Sequence, residues 1–253
     1  MAAVGTLEWG RQTGGRLSFR DRLSQLASAA ALQLRVAPAQ IRWRLGLADA
    51  GALVDITSIR IPDSHAARLA EEHCREVSPD FLVHHCLRSY LFAQALAVPC
   101  QLHPDAELLY VMSLLHDLGL TEAYAKGEAS CFAVRGAEGA RKLMGSAGYT
   151  EERQEQVAEA IALHLNVAVD IDDGVEALLL NAGTVLDVTG LRIWELHRKT
   201  VRAVVDRHPR MGLKRKLVEL WKDEAETYKG TRAHFLEHYL DFSRRILRAP
   251  FSE

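Results

Sequence analysis

The chain has 253 residues, of which 48% are hydrophobic and 25% charged, as is typical of a globular protein with one sizeable core. Its 31 Lys and Arg side chains nearly balance 33 Asp and Glu side chains, which disfavours nucleic acid or an anionic membrane as a partner and favours a small-molecule substrate. The N-terminal residues contain no apolar run long enough for a signal peptide or a membrane span, so we expect a cytoplasmic protein.

Residues 1–60 are the least regular part of the sequence. Glycines interrupt this region at positions 5, 10, 14, 15, 46 and 51, and only Arg20 to Leu34 has a helical pattern. We therefore predict a partly irregular N-terminal arm over residues 1–60, followed by a compact domain over residues 61–253. Whether the protein forms a homo-oligomer is left open by the sequence.

From residue 61 onward, helix signals follow one another. Pro62, Asp63 and Ser64 resemble the start of a helix, and Ser78 and Thr150 are predicted N-caps of later ones. The predicted helices cover residues 62–76, 78–98, 105–118, 150–164, 175–188, 214–221 and 231–247. Period-two alternation bounded by hairpin turns is absent from the sequence, so we predict an all-α helical bundle.

The most informative motif is His116-Asp117, which ends an apolar helix and precedes Leu118 and Gly119. Burying an ionised carboxylate without a cation costs several kcal/mol, and a divalent metal offsets that cost. The pair therefore indicates a metal site rather than a hydrogen-bonded core histidine.

A metal needs further ligands from neighbouring helices. His85 and Asp187 are candidates, because each is a polar residue within an otherwise apolar predicted helix. Two imidazoles and two carboxylates, His85, His116, Asp117 and Asp187, would suit one divalent metal. We expect Zn²⁺, but the ligands alone do not select it over Fe²⁺, Mn²⁺ or Ni²⁺.

This pattern resembles the HD superfamily, whose hallmark is a His, then His-Asp, then a distant Asp on successive helices. Within it, the chain is similar to the cyanamide hydratase-like branch over about residues 61–214. The motifs that carry the resemblance are Pro62-Asp63-Ser64, Ser78-Pro79, His85-Cys86-Leu87-Arg88-Ser89-Tyr90, Leu115-His116-Asp117-Leu118-Gly119-Leu120-Thr121, Ala158-Glu159-Ala160-Ile161 with His164, and Leu186-Asp187-Val188-Thr189-Gly190-Leu191. His84 and Cys86 depart from the Asn and Ser that commonly flank the first ligand in this branch, which predicts a pocket of different polarity and a different substrate. His85, not His84, keeps the three-residue offset to Arg88.

His164 is the only histidine between His116 and Asp187. It is either a hydrogen-bonded core residue or, as we predict, a catalytic residue that contacts substrate or transfers a proton beside the metal, a role shared with Asp117. Dinuclear HD proteins use two additional histidines in this interval, so a single one favours a mononuclear site.

Three further residues are candidates for substrate binding. Arg88 either binds a substrate anion or pairs with a buried carboxylate, and the sequence does not decide between these roles. Thr121 and Phe132 follow the His-Asp pair, where the chain could cover the pocket.

The resemblance implies an enzyme in which a water activated by the metal attacks a small nitrile-like substrate of the cyanamide type. One alternative is a metal-dependent phosphohydrolase acting on a nucleotide or phosphomonoester, with Arg88 and Arg135 or Lys126 on the phosphate. Another alternative is a non-enzymatic binding module that the metal only stabilises.

Overall fold

The computed structural model describes residues 2–47, 51–125 and 131–253. Within these ranges the chain forms helices and no sheet, which confirms the all-α prediction. No helix in the described part of the chain is both long enough and apolar enough to cross a bilayer. The α-helices are α1 Leu7–Thr13, α2 Phe19–Arg44, α3 His65–Val77, α4 Asp80–Ala97, α5 Ala106–Leu115, α6 Phe132–Ser146, α7 Glu151–Leu163, α8 Val175–Thr189, α9 Arg198–Arg207, α10 Leu213–Thr227, α11 Arg232–Leu240 and α12 Phe242–Leu247.

Helices α4 and α5 form the centre of the core. Almost every residue of α4 is buried, and so are the residues of α5 from Leu108 to Leu115. A helix that is apolar on all sides must be surrounded by other elements. Here α3 and α8 pack against both helices, and α7 packs against α5 and α8.

Helices α4 and α8 approach each other closely at Gly183. A Cβ atom at Gly183 would lie 2.3 Å from the carbonyl oxygen of Ser89 and 2.9 Å from the backbone nitrogen of Ala93. Only glycine fits between the two backbones at this separation. Because His85 lies one turn before Ser89, this contact also fixes the part of α4 that carries the first predicted ligand.

The N-terminal region is more helical than the sequence predicts. Instead of a short helical stretch, α2 extends from Phe19 to Arg44 and contains Pro38. A capping box between Ser18 and Asp21 starts the helix, and the alanine-rich sequence that follows has high helix propensity. The helix therefore continues past Leu34, where the predicted helical pattern ends, and through Pro38.

The C-terminal region is less continuously helical than the sequence predicts. The single helix predicted over residues 231–247 is divided into α11 and α12 at Asp241, whose φ is 55°. Asp tolerates the left-handed conformation better than most residues because its short side chain bonds locally. Other start signals are confirmed: Ser64, Asp105 and Thr150 are N-caps, whereas Pro79 rather than Ser78 precedes α4.

Candidate metal centre

Three predicted ligands meet at one point in the core. His85 comes from the middle of α4, and His116 and Asp117 follow directly after α5. All three are buried, with 1%, 1% and 6% of their surface exposed. Nε2 of His85 lies 3.2 Å from Nε2 of His116, and Oδ2 of Asp117 lies 3.5 Å and 3.3 Å from these two atoms.

These separations fit a shared metal ion. Ligand bonds of about 2.0–2.1 Å in tetrahedral geometry place neighbouring donor atoms about 3.3 Å apart. The three measured distances bracket that value, and the three side chains form a group whose ligand atoms could hold one ion. The donor set of two imidazole nitrogens and one carboxylate oxygen therefore fits a divalent transition metal.

The far side of each imidazole determines which nitrogen faces the centre. Nδ1 of His116 donates to the carbonyl oxygen of Ser113 at 2.8 Å, and Nδ1 of His85 lies 2.7 Å from Oδ2 of Asp187. If both Nδ1 atoms carry hydrogen, both Nε2 lone pairs point at each other across 3.2 Å. Such a contact is repulsive unless a cation lies between the lone pairs.

The electrostatics of the centre also favour a positive charge. Burial alone would raise the pKa of Asp117, but the imidazoles of His116, His85 and His164 hold this pKa well below its usual range. Burial lowers the pKa of His116, yet Asp117 outweighs that effect and raises it. The cluster thus attracts a cation, either a proton on His116 or a metal ion.

His164 lies next to this group. It is the C-cap of α7, its Nδ1 donates to the carbonyl oxygen of Ile161, and its Nε2 lies 3.8 Å from Oδ1 of Asp117. Burial and the neighbouring His116 lower the pKa of His164 to about 3, so the ring is neutral at pH 7. The structure therefore places an unprotonated Nε2 at the edge of the three-residue group, where the sequence predicts a catalytic histidine.

Asp187 occupies a different place from the other three predicted ligands. Its carboxylate accepts hydrogen bonds from Nδ1 of His85, from Nε and Nη2 of Arg88, and from Nη1 of Arg210. The structure thus puts Asp187 behind His85 rather than beside the Nε2 atoms, because two buried guanidinium groups hold its carboxylate there. Burial would raise the pKa of Asp187, but Arg88, His85 and Arg210 together hold it well below its usual range.

Arg88 is fully buried and engaged with protein groups. Besides its two bonds to Asp187, Nη1 donates to the carbonyl oxygens of His208 and Pro209. Of the two roles that the sequence left open, the structure shows the pairing with a buried carboxylate, and Arg88 is not among the described residues that line the cavity. Arg210, the second cation on Asp187, carries no signal in the sequence that would have predicted this role.

The two other predicted substrate-binding residues, Phe132 and Thr121, differ in whether they line the cavity. Phe132 begins α6, lines the cavity above the centre and contacts the ring of His164, with ring centroids 5.7 Å apart. Thr121 is buried, donates to the carbonyl oxygen of Leu118 and is not among the described residues that line the cavity. Gly119 brings these segments together, since a Cβ atom there would lie 1.9 Å from the carbonyl oxygen of Phe132.

The centre opens into a cavity of about 750 Å³. Its deep end contains His85, His116, Asp117 and His164, together with Thr184, which sequence reasoning missed. One wall is formed by α2, and others are formed by α8 and by α10 to α12. A small molecule can therefore reach the three-residue group from the surface.

Comparison with known proteins identifies the domain that carries this centre. Residues 82–182 match the HD domain family. The segment that carries the centre is therefore similar to HD domains. The chain is also similar to two proteins of Saccharomyces cerevisiae, cyanamide hydratase DDI2 and cyanamide hydratase DDI3. Each is 29% identical over 155 residues, which is 59% of this chain and 68% of the relative.

The HD match confirms the resemblance inferred from the sequence motifs and indicates a metal-dependent enzyme. The matched segment includes His85, His116, Asp117 and His164, whereas Asp187 follows it. HD domains bind divalent metals, and His85, His116 and Asp117 are the residues arranged to do so here.

Proposed function

We propose that this protein is a metal-dependent hydratase that adds water to a nitrile-like substrate of the cyanamide type. The observation that carries the proposal is the group His85, His116 and Asp117 at the deep end of an open cavity. A catalytic zinc site typically has three protein ligands and an open position, whereas a structural site is closed by four. The similarity to two cyanamide hydratases supports the reaction type.

We propose Zn²⁺ as the metal, with Fe²⁺, Mn²⁺ and Ni²⁺ also compatible with two imidazoles and a carboxylate. When bound, the cation supplies Lewis-acid activation of water and substrate. His85, His116 and Asp117 would hold it, and Asp187 would keep His85 oriented by accepting the hydrogen bond from its Nδ1.

His164 and Asp117 would manage the proton. Nε2 of His164 accepts a hydrogen bond from the attacking water, whose oxygen forms a bond to the nitrile carbon. The water proton passes to Nε2 and then to the nitrile nitrogen, and the adduct rearranges to an amide, which is urea when the substrate is cyanamide. Because burial and the neighbouring His116 lower the pKa of His164 to about 3, its ring is neutral at pH 7 and Nε2 has a lone pair with which to accept the water proton.

The pairing of two buried arginines favours this hypothesis over phosphohydrolysis. The buried arginines nearest in sequence to the centre are both engaged: Arg88 with Asp187, and Arg135 with Glu224 at 2.6 Å. Neither offers a free guanidinium for a phosphate at the metal. Lys126, the other residue predicted for that role, lies outside the described residues.

The metal site is tested with Asp117→Ala and the matched control Asp172→Ala, which removes an exposed carboxylate. We expect about one metal per chain in the wild type and in the control, and none in Asp117→Ala, by elemental analysis after reconstitution with Zn²⁺. Full metal content in Asp117→Ala would show that the site is assigned wrongly.

The reaction is tested by incubating the same samples with cyanamide and measuring urea. His164→Gln should retain the metal and lose about 10²- to 10⁴-fold in kcat, the usual contribution of a proton-transferring residue. Loss of metal from this variant would make His164 a ligand instead. Release of inorganic phosphate from a nucleotide or phosphomonoester, without urea from cyanamide, would move the protein to the phosphohydrolases.

A further inference from the structure

We infer that the physiological substrate is much larger than cyanamide: an elongated molecule whose apolar body fills the cavity and whose oxyanion group binds to arginines at the cavity mouth. The inference rests on the proposed function only for the reacting end of the molecule. The body and the anionic end are argued from the walls of the cavity.

The cavity is much larger than cyanamide requires. Cyanamide has three non-hydrogen atoms, and at about 30 Å³ each, the share of one water molecule in the liquid, it would occupy about 90 Å³. The cavity of about 750 Å³ is several times larger. It falls within the range of about 300–1,000 Å³ that is typical of sites for drug-sized ligands.

The walls of the cavity between the centre and the surface carry apolar side chains. Leu26 and Val36 of α2 contribute to one wall, and Val188, Leu217 and Trp221 contribute to others. An apolar wall gains free energy when an apolar ligand removes it from water. A substrate as small and polar as cyanamide would leave these side chains without a partner.

The mouth of the cavity carries positive charge. The metal centre is buried, whereas four arginines that line the cavity are exposed to solvent: Arg44, Arg244, Arg245 and Arg248. Asp241 is the one acidic residue of the lining outside the metal centre among the described residues, and it pairs only with Arg244, at 3.4 Å. The other three arginines form no ion pair within the described part of the chain. The mouth therefore carries an excess of positive charge that complements a carboxylate or phosphate, whose geometry the guanidinium fork matches.

The inference is tested by titration calorimetry on the zinc-reconstituted protein, with decanoate as the probe and decyltrimethylammonium as a probe of similar length and opposite charge. We expect one decanoate per chain and at least tenfold weaker binding of the cation. Decyl phosphate, titrated in parallel, distinguishes a phosphate-preferring mouth from a carboxylate-preferring one. Equal binding of anion and cation, or no binding of either anion, would overturn the inference.

Matched variants locate the binding site. Replacing Arg245 and Arg248 together by Gln should weaken decanoate binding by about tenfold, because each partly exposed ion pair contributes roughly twofold to fivefold. Arg207→Gln, an exposed arginine of α9 outside the cavity, should leave affinity unchanged. Ala29→Trp fills the cavity from α2 and should abolish binding, whereas Ala31→Trp lies on the exposed side of the same helix and should not. If a variant in the cavity and its control outside the cavity changed decanoate affinity equally, the assignment of the binding site to this cavity would be wrong.

Turnover separates the inference from the proposed function. If both hold, a nitrile joined through an alkyl chain to a carboxylate should exceed cyanamide in kcat/KM by at least 100-fold, and the arginine double variant should raise its KM. Decanoate binding without hydration of any nitrile would sustain the inference and remove the proposed function. Efficient hydration of cyanamide without decanoate binding would support the proposed function and overturn the inference.

Discussion

Replacing Asp187 by Asn tests whether this residue supports the centre or is part of it. The carboxylate is fully buried and pairs with Arg88 and Arg210, whose side chains are also fully buried. Asn has nearly the same shape but no charge, so the substitution leaves the Arg88 guanidinium buried without an anion and leaves Arg210 with only the partly exposed Glu253. Breaking a buried ion pair on one side costs about 3–5 kcal/mol.

Asp187→Asn should weaken metal binding without abolishing it. Asp187 contacts the Nδ1 side of His85, so its loss disturbs the orientation of the imidazole and leaves Nε2 in place. Substitutions of such supporting groups typically weaken metal binding about 10- to 100-fold. We therefore expect Asp187→Asn to bind Zn²⁺ measurably, whereas Asp117→Ala binds none.

The assay combines urea unfolding of the metal-free protein with a competitive Zn²⁺ titration of the folded protein. With a denaturant dependence of about 3 kcal/mol per molar urea, a loss of 3–5 kcal/mol moves the unfolding midpoint down by about 1–2 M. Asp206→Asn is the control, since its ion pair with Arg202 is largely exposed and should contribute at most about 1 kcal/mol. Complete loss of metal binding with a midpoint shift no larger than that of the control would refute this account and make Asp187 a direct ligand.

Two further predictions concern helix packing and pH. Gly183→Ala should lower the free energy of unfolding by about 1–3 kcal/mol, because the added methyl group would overlap backbone atoms of α4. Gly145→Ala is the control, since its methyl group meets only the flexible side chain of Gln154. This control should leave the free energy of unfolding in urea nearly unchanged. Because the pKa of His164 is lowered to about 3 in the folded state from the 6.5 of an exposed histidine, protons bind the unfolded chain preferentially and stability falls as pH falls through this window. For metal-free protein this histidine should account for about 2 kcal/mol of stability lost between pH 7 and pH 5. His164→Gln should lose correspondingly less over the same interval, and identical pH profiles of the two proteins would show that the histidine is not held neutral by the fold.

The sequence predicts the centre well where local chemistry is unusual. A His-Asp pair at the end of an apolar helix, and a histidine in the middle of another, stand out because buried polar groups must be satisfied. The three residues His85, His116 and Asp117 do meet in the structure. Asp187 stands out for the same reason, but a carboxylate that binds a metal and one that binds buried arginines look alike in a sequence.

Helix α6 shows why other parts could not be predicted. Gly136, Gly139 and Gly145 interrupt its sequence in a way that resembles a loop. In the structure, two of these glycines permit close contacts, since a Cβ atom would lie 3.1 Å from the backbone nitrogen of Gly119 or 2.3 Å from the ring of Tyr124. Tertiary packing outweighs helix propensity at these positions. Arg210 is likewise invisible, because its partner lies 23 residues away and on another element.

Helix α2 suggests where new specificity could arise. It contributes one wall of the cavity, yet Gln25 is the one residue of this helix that is buried, and Leu34 is 77% exposed. Substitutions at such exposed positions usually change stability by less than about 0.5 kcal/mol, whereas the ligands lie on helices that tolerate little change. Mutational libraries confined to residues such as Gln33, Val36 and Gln40 could therefore redirect substrate choice while the metal and the core stay intact. Because the wall formed by α2 is separate from the metal ligands, natural substitutions in α2 could also change the substrate while the reaction stays the same.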